Sequence, residues 1–265
     1  MKKLKLLALL LVLLLACGLL AGCASTDSFP AEETPPTNET GEVPKEKTKL
    51  TIVAMGDSIT DSGRNRDNPT EEYGNGYAAI LAAMLRTRLP DFEIVFVNSG
   101  VSGDTAQLNF ERWEKDVEAY QPDYIVWQIG ANDAYVTTFA PEVKEAKLPY
   151  FRKILHDLSA RAKESGVKGI VYMSPFYLLK PQDMESSQVI TKAVAPLIPQ
   201  YRTVMKRVAD EFEMPFIDLY ELFMDEMTRI QPELLAPDLV HPTTYSCGLI
   251  AQRTCDALVE LICGN

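Results

Sequence analysis

The chain of 265 residues carries only two histidines, His156 and His241. His241 closes the segment Asp238-Leu239-Val240-His241, in which the carboxylate stands three residues before the imidazole. That spacing lets Asp238 curl back onto the Nδ1–H, which fixes the tautomer and leaves Nε2 as an acceptor for a hydroxyl proton. Three other segments carry residues that such a base could serve: Gly56-Asp57-Ser58-Ile59-Thr60, Asn98-Ser99-Gly100-Val101-Ser102-Gly103 and Gly130-Ala131-Asn132-Asp133. Ser58 offers a hydroxyl nucleophile. Gly103 offers a backbone N–H with no side chain in the way, Asn132 a side-chain N–H, and Ser58 its own N–H. Acyl transfer needs this set: a nucleophile, a base, a group that orients the base, and donors for the developing oxyanion. Each piece alone has a plainer reading, as a strand-ending turn, a tight strand–helix connection, a helix cap or a packing histidine. Their order along the chain favours the joint one.

These segments fall at the ends of apolar runs. Leu50 to Met55, Phe92 to Val97, Tyr124 to Ile129, Gly169 to Met173 and Pro215 to Leu219 read as five short strands. Between them lie helical patterns: Tyr77, Ile80, Leu81, Met84 and Leu85 at one helix face, then Thr105–Tyr120, Pro149–Glu164, Ile190–Phe212 with an irregular start at Pro196 and Pro199, and a closing helix over Thr243–Cys263. Short strands alternating with helices predict βαβ units, hence an α/β fold with a mostly parallel five-stranded sheet in a three-layer α/β/α sandwich. In such folds the site lies at the carboxyl ends of the strands. Three of the four segments directly follow a predicted strand, and the Asp238 segment precedes the last helix.

The four segments together resemble the SGNH (GDSL-type) hydrolases, a family of esterases, lipases and deacetylases. The resemblance covers Leu50 to the C-terminus. It implies a flavodoxin-like SGNH fold, Ser58 as nucleophile, Gly103 and Asn132 in the oxyanion hole, and Asp238 and His241 completing the triad. A narrower likeness, to GDSL-type acetylxylan esterases, rests on Gly56 to Arg64, Gly74-Asn75-Gly76-Tyr77, Arg112-Trp113, Ser174-Pro175-Phe176-Tyr177 and His241-Pro242. Ala236-Pro237 precedes Asp238 here, where an aromatic residue is expected. The resemblance implies a serine esterase on O-acyl esters, most of all O-acetyl groups of carbohydrate. Rival readings are a lysophospholipase or thioesterase and a non-catalytic carbohydrate-binding lipoprotein. No cofactor and no metal is required, and two histidines exclude multi-His metal sites.

The N-terminal stretch is of another kind. Met1-Lys2-Lys3-Leu4-Lys5 precedes seventeen uncharged residues, Leu6 to Gly22, and Leu20-Ala21-Gly22-Cys23 resembles the lipobox of bacterial lipoproteins. Residues 1–22 are therefore expected to be an export signal, Cys23 the lipidated residue, 23–47 a Pro-, Thr- and Glu-rich tether and 48–265 the hydrolase domain. This predicts an exported protein held to the membrane by its lipid on the extracytoplasmic side of a bacterial cell. The formal charge of −11 becomes −14 once Lys2, Lys3 and Lys5 leave with the signal; six acids and two lysines in the tether carry −4 of it, leaving −10 on the domain. That acid excess speaks against a nucleic-acid partner.

Several residues are set apart from the chemistry. His156 reads as a solvated or packing side chain. Trp113 and Trp127 are assigned to the core rather than to sugar platforms, with Trp113 the better placed of the two for a platform. Arg64 fits either the site or a surface ion pair. Cys247, Cys255 and Cys263 are eight residues apart on one helix, about 12 Å per step, beyond the ~7 Å Cα spacing of a disulfide, so three thiols are expected.

Overall fold

The apolar runs form one sheet of five parallel strands in the order β2-β1-β3-β4-β5. This is seen in a computed structural model that describes residues 46–178 and 189–264. The strands are β1 (Thr48–Gly56), β2 (Phe92–Gly100), β3 (Tyr124–Gln128), β4 (Gly169–Met173) and β5 (Phe216–Ile217). Lys47–Asn265 make one compact unit. β1 and β2 each run nine residues, longer than their apolar runs, because they pair in register from Thr48–Phe92 to Gly56–Gly100. Ladder hydrogen bonds recruit the polar ends that hydropathy alone does not mark.

The helices are α1 (Ser58–Asp61), α2 (Tyr77–Arg88), α3 (Ala106–Asp116), α4 (Ala131–Phe139), α5 (Leu148–Glu164), α6 (Val189–Val194), α7 (Ile198–Glu211), α8 (Leu219–Glu226), α9 (Pro232–Leu235) and α10 (Thr244–Cys263). Alternate residues of β1 face opposite layers, as the two-residue strand period requires. Ile52 and Ala54 join a core with Leu81 and Leu85 of α2, Phe223 of α8 and Ile250 of α10. Val53 and Met55 join a second core with Trp113 of α3, Phe151 and Leu158 of α5 and Met205 of α7. The three-layer α/β/α architecture expected from the sequence is the one found.

Two local expectations differ. Pro215–Leu219 shortens to a two-residue strand because Asp218 leaves the sheet to cap α8, accepting from the Glu221 N–H at 3.1 Å while Arg202 holds the same carboxylate at 2.7–2.9 Å. The helix α4, which no apolar run announces, starts at Gly130, whose φ of +121° favours glycine.

The strand order places the site. From β1 the chain moves to β2 at one edge, then crosses back past β1 to β3. Loops leaving β1 and β3 diverge there, and ligands bind in the crevice at such a switch point. Gly56, the last residue of β1, is level with Gly100 of β2 and Gln128 of β3, so the loops carrying Ser58, Gly103 and Asn132 leave the sheet at one height.

Candidate active site

Ser58 opens the one-turn helix α1 directly after β1. Asp57 caps it, its Oδ1 accepting from the Ile59 N–H at 3.0 Å. Ile59 and Thr60 are buried and anchor the turn, while Ser58 stays half-buried. The turn lies flat on the strand ends. A Cβ at Gly56 would stand 2.3 Å from Thr60 Oγ1 and 2.4 Å from the Gln128 carbonyl, and one at Gly100 2.3 Å from the Asp61 nitrogen. Both glycines are required by close approach. The Asn98 amide ties the turn down by donating to the Thr60 carbonyl at 2.8 Å.

Ser58 Oγ lies 2.8 Å from His241 Nε2, across 183 residues of sequence. His241 Nδ1 lies 2.5 Å from Asp238 Oδ2. A carboxylate accepts only, so Nδ1 carries the hydrogen and Nε2 presents its lone pair to the serine hydroxyl. Asp238 Oδ1 accepts from the backbone N–H of His241 at 2.7 Å and of Val240 at 3.0 Å. Burial opposes the charge on Asp238, but the hydrogen bonds from the His241 ring and from these two N–H groups outweigh it and lower its pKa below the ordinary carboxylate value. The loop is fixed by Leu239, which is buried and held at φ +68°. Its N–H donates to the Ala236 carbonyl and its carbonyl accepts from the Leu178 N–H. A left-handed leucine costs roughly 1–2 kcal/mol. Burial of its side chain and these two bonds hold it there.

The donor groups gather beside this chain of bonds. Gly103 takes φ +88°, open only to glycine at low cost, and a Cβ there would meet nothing within 4 Å. Conformation, not crowding, demands glycine. Asn132, in the first turn of α4, donates one Nδ2–H to the Asp104 carbonyl at 2.9 Å, which joins its loop to that of Gly103 and leaves its second N–H available. The Ser58 and Gly103 N–H groups have no acceptor among the described residues. This arrangement can pass a proton from a hydroxyl to an imidazole and offers N–H donors to a nearby oxyanion.

Behind these residues lies a buried polar network that sequence reasoning missed. Arg112 donates to Asp104 at 2.6 Å, to Asp116 at 2.8 Å and to the carbonyls of Ser99 and Gly56 at 2.6 and 3.2 Å. Asn109 donates to Asp104 and accepts from the Trp127 indole. Asp133 accepts from the Ala106 N–H at 3.0 Å. Burial raises Asp133 and Asp57 to about 7, and the Asp57 Oδ2 has no hydrogen-bond partner among the described residues. The signal available in the sequence was the i, i+4 spacing of Arg112 and Asp116, which puts those two side chains on one face of α3, while Asp104 joins them from the loop before the helix.

The remaining sequence assignments sort plainly. Trp113 and Trp127 are fully buried with ring centroids 5.4 Å apart, so Trp113 is core and no sugar platform. Arg64 braces the loop beside the site, donating to the Gly100 carbonyl at 2.6 and 3.1 Å and pairing with Asp61 at 3.3 Å. His156 is exposed and stacks edge-on with Phe212. Cys247, Cys255 and Cys263 are free thiols. No group of three or more His, Cys, Asp or Glu among the described residues is arranged to hold a metal. Cys23 and the expected signal and tether lie outside the described residues, apart from Glu46 and Lys47.

A family model, GDSL-like lipase/acylhydrolase, matches residues 54–245. An acetylxylan esterase of Geobacillus stearothermophilus is 32% identical over 206 residues, 76% of this chain and 90% of that protein. The thioesterase 1/protease 1/lysophospholipase L1 of Escherichia coli K12 is 24% identical over 212 residues, 80% of this chain and 85% of that protein. The crystal structure of the Geobacillus esterase superposes with a TM-score of 0.67 at 31% identity, covering 82% of this chain and 95% of that one. An α/β-hydrolase enzyme from the metagenome of Lake Arreo, Spain, superposes with a TM-score of 0.68 at 27% identity, covering 82% and 96%. The chain belongs to the GDSL-like lipase/acylhydrolase family and is a carboxylic ester hydrolase.

Proposed function

We propose that the protein is a serine esterase that removes O-acetyl groups from carbohydrate. The observation that carries this reading is the unbroken chain of hydrogen bonds Ser58–His241–Asp238, at 2.8 and 2.5 Å, in a fold similar to that of acetylxylan esterases. Ser58 Oγ attacks the ester carbonyl as His241 Nε2 takes its proton. The N–H groups of Ser58 and Gly103 and the free N–H of Asn132 hold the oxyanion. The C–O bond to the sugar breaks as His241 returns the proton to the leaving hydroxyl. Water, deprotonated by His241, attacks the acyl-serine, and acetate leaves as Ser58 regains its proton. Asp238 holds the imidazole and stabilises its charge without taking a proton. The open cavity of about 600 Å³ beside Asp238, lined by Tyr177, Pro237 and Val240 among others, gives a bulky leaving group room where Pro237 replaces the expected aromatic residue.

In the same reading, residues 1–22 are the export signal, Cys23 carries the lipid, 23–47 is the tether and the hydrolase domain begins at 48. Labelling with radioactive palmitate tests this: wild type takes label and Cys23→Ala does not.

Turnover of acetyl and octanoyl nitrophenyl esters, with acetate release from acetylated oligosaccharides, tests the activity. Wild type favours the acetyl ester and Ser58→Ala is inactive. Faster turnover of the octanoyl ester would move the assignment to the thioesterase and lysophospholipase side, and equal rates for wild type and Ser58→Ala would rule out Ser58 as the nucleophile.

A further inference from the structure

A second cleft, of about 350 Å³, opens along β2, one of the two edge strands of the sheet. Arg64, Arg66 and Lys115 line it, with the rings of Tyr73 and Tyr120. Its charge runs against that of the chain, which has 37 acids to 26 lysines and arginines. Arg66 and Lys115 are exposed and neither forms an ion pair among the described residues. Arg66 reaches only the Gly100 carbonyl, at 3.4 Å, an oxygen that Arg64 already occupies at 2.6 Å. Of the two acids at the rim, Asp116 is held by Arg112 at 2.8 Å, and Glu72 is exposed and forms no ion pair among the described residues. Burial, then the neighbouring Arg66, lowers the Arg64 pKa, as expected for guanidinium groups crowded without enough counter-charge.

Two free cations lining one cleft together with Tyr73 and Tyr120 suit a single carboxylate on a ring. A guanidinium grips a carboxylate through paired N–H donors, and tyrosine faces pack against the C–H groups of a sugar. The cleft is also wired to the ester site. Arg64 pairs with Asp61 of α1, and Asp61 Oδ2 accepts from the Ser102 N–H at 3.0 Å and its hydroxyl at 2.7 Å, one residue before Gly103.

We propose that this cleft is a subsite for a carboxylated sugar, a uronate unit of the acetylated chain whose ester lies at Ser58. The proposal rests on the carbohydrate-esterase reading and extends it to acidic polysaccharides. The test is calorimetric titration of the Ser58→Ala protein, which binds without turnover, with xylo-oligosaccharides that carry or lack one glucuronate branch. The branched sugar binds about tenfold tighter, a difference that shrinks at high salt. In Ser58→Ala/Arg66→Ala/Lys115→Ala the two sugars bind within twofold of each other. Equal binding of both sugars to Ser58→Ala overturns the proposal. So does a preference that survives the triple substitution, the outcome expected if these cations only keep the open edge of β2 from pairing with another strand. Acetate release by wild type from the unbranched acetylated sugar judges the esterase reading separately. Both substituted cations are exposed, so loss of folding does not confound the comparison.

Discussion

Replacing Asp238 by Asn separates the orienting role of this carboxylate from its bulk. In the structure Oδ1 accepts from two backbone N–H groups, at 2.7 and 3.0 Å, and Oδ2 accepts from the imidazole at 2.5 Å. An Asn side chain keeps its oxygen on the two backbone donors, so its NH₂ must face Nδ1. A donor facing Nδ1 demands a lone pair there, which moves the ring hydrogen to Nε2. Nε2 then donates toward Ser58 and no longer accepts its proton. A wrong tautomer of this kind costs about 10⁴ in kcat, or roughly 5.5 kcal/mol of transition-state stabilisation. KM stays within a few-fold, because the nucleophile and the cleft keep their shape. The assay is steady-state hydrolysis of nitrophenyl acetate by Asp238→Asn and wild type, with circular dichroism as the check on folding. A kcat within tenfold of wild type refutes the reasoning, since Ser58 would then be activated without an oriented His241.

The same substitution has a second signature, in stability. The hydrogen bonds lower the Asp238 pKa in the folded state, so its ionised form stabilises the fold above the ordinary carboxylate pKa near 3.8. That contribution is lost as pH falls through the lower folded value. Wild type therefore melts higher than Asp238→Asn at pH 7, and the gap closes toward pH 3.

Asn132→Ala removes one oxyanion donor and lowers kcat by about 10²–10³ with little change in KM, measured on the acetyl ester. Asp57 and Asp133 act on stability in the opposite sense to Asp238. Their folded pKa values near 7 mean that stability falls as pH rises from about 4 to 7, because the unfolded chain gives up its protons first. Each contributes on the order of 4 kcal/mol at most, so Asp57→Asn gains melting temperature relative to wild type between pH 4 and pH 8; a gain that shrinks over this range counts against the buried-carboxyl account. Gly100→Ala drives a Cβ to 2.3 Å from the Asp61 nitrogen and costs about 1–3 kcal/mol in urea unfolding, with loss of activity as the Ser58 turn lifts from the sheet.

Much of the protein is legible in one dimension because its signals are local. Apolar runs of five or six residues can only be buried strands when helical patterns alternate with them, and alternation implies a parallel sheet. The spacing of Asp238 and His241 is local too, since a carboxylate three residues before a histidine reaches its ring without help from the rest of the chain. The thiols of α10 follow from helix rise alone. What the sequence did not disclose depends on partners far along the chain. β1 and β2 gain their polar ends from each other, and β5 loses its own when Asp218 turns to cap α8. Glycine is needed at Gly56 and Gly100 because α1 folds onto the strand ends, a contact no local pattern records. Arg112 is marked in the sequence by the family resemblance, but its role becomes visible only when folding brings Asp104, Gly56 and Ser99 around it. The 2.8 Å bond between Ser58 and His241 spans 183 residues. Residue types state what the pair can do, but only the level ends of the parallel strands and the buried anchor Leu239 put the two atoms within reach.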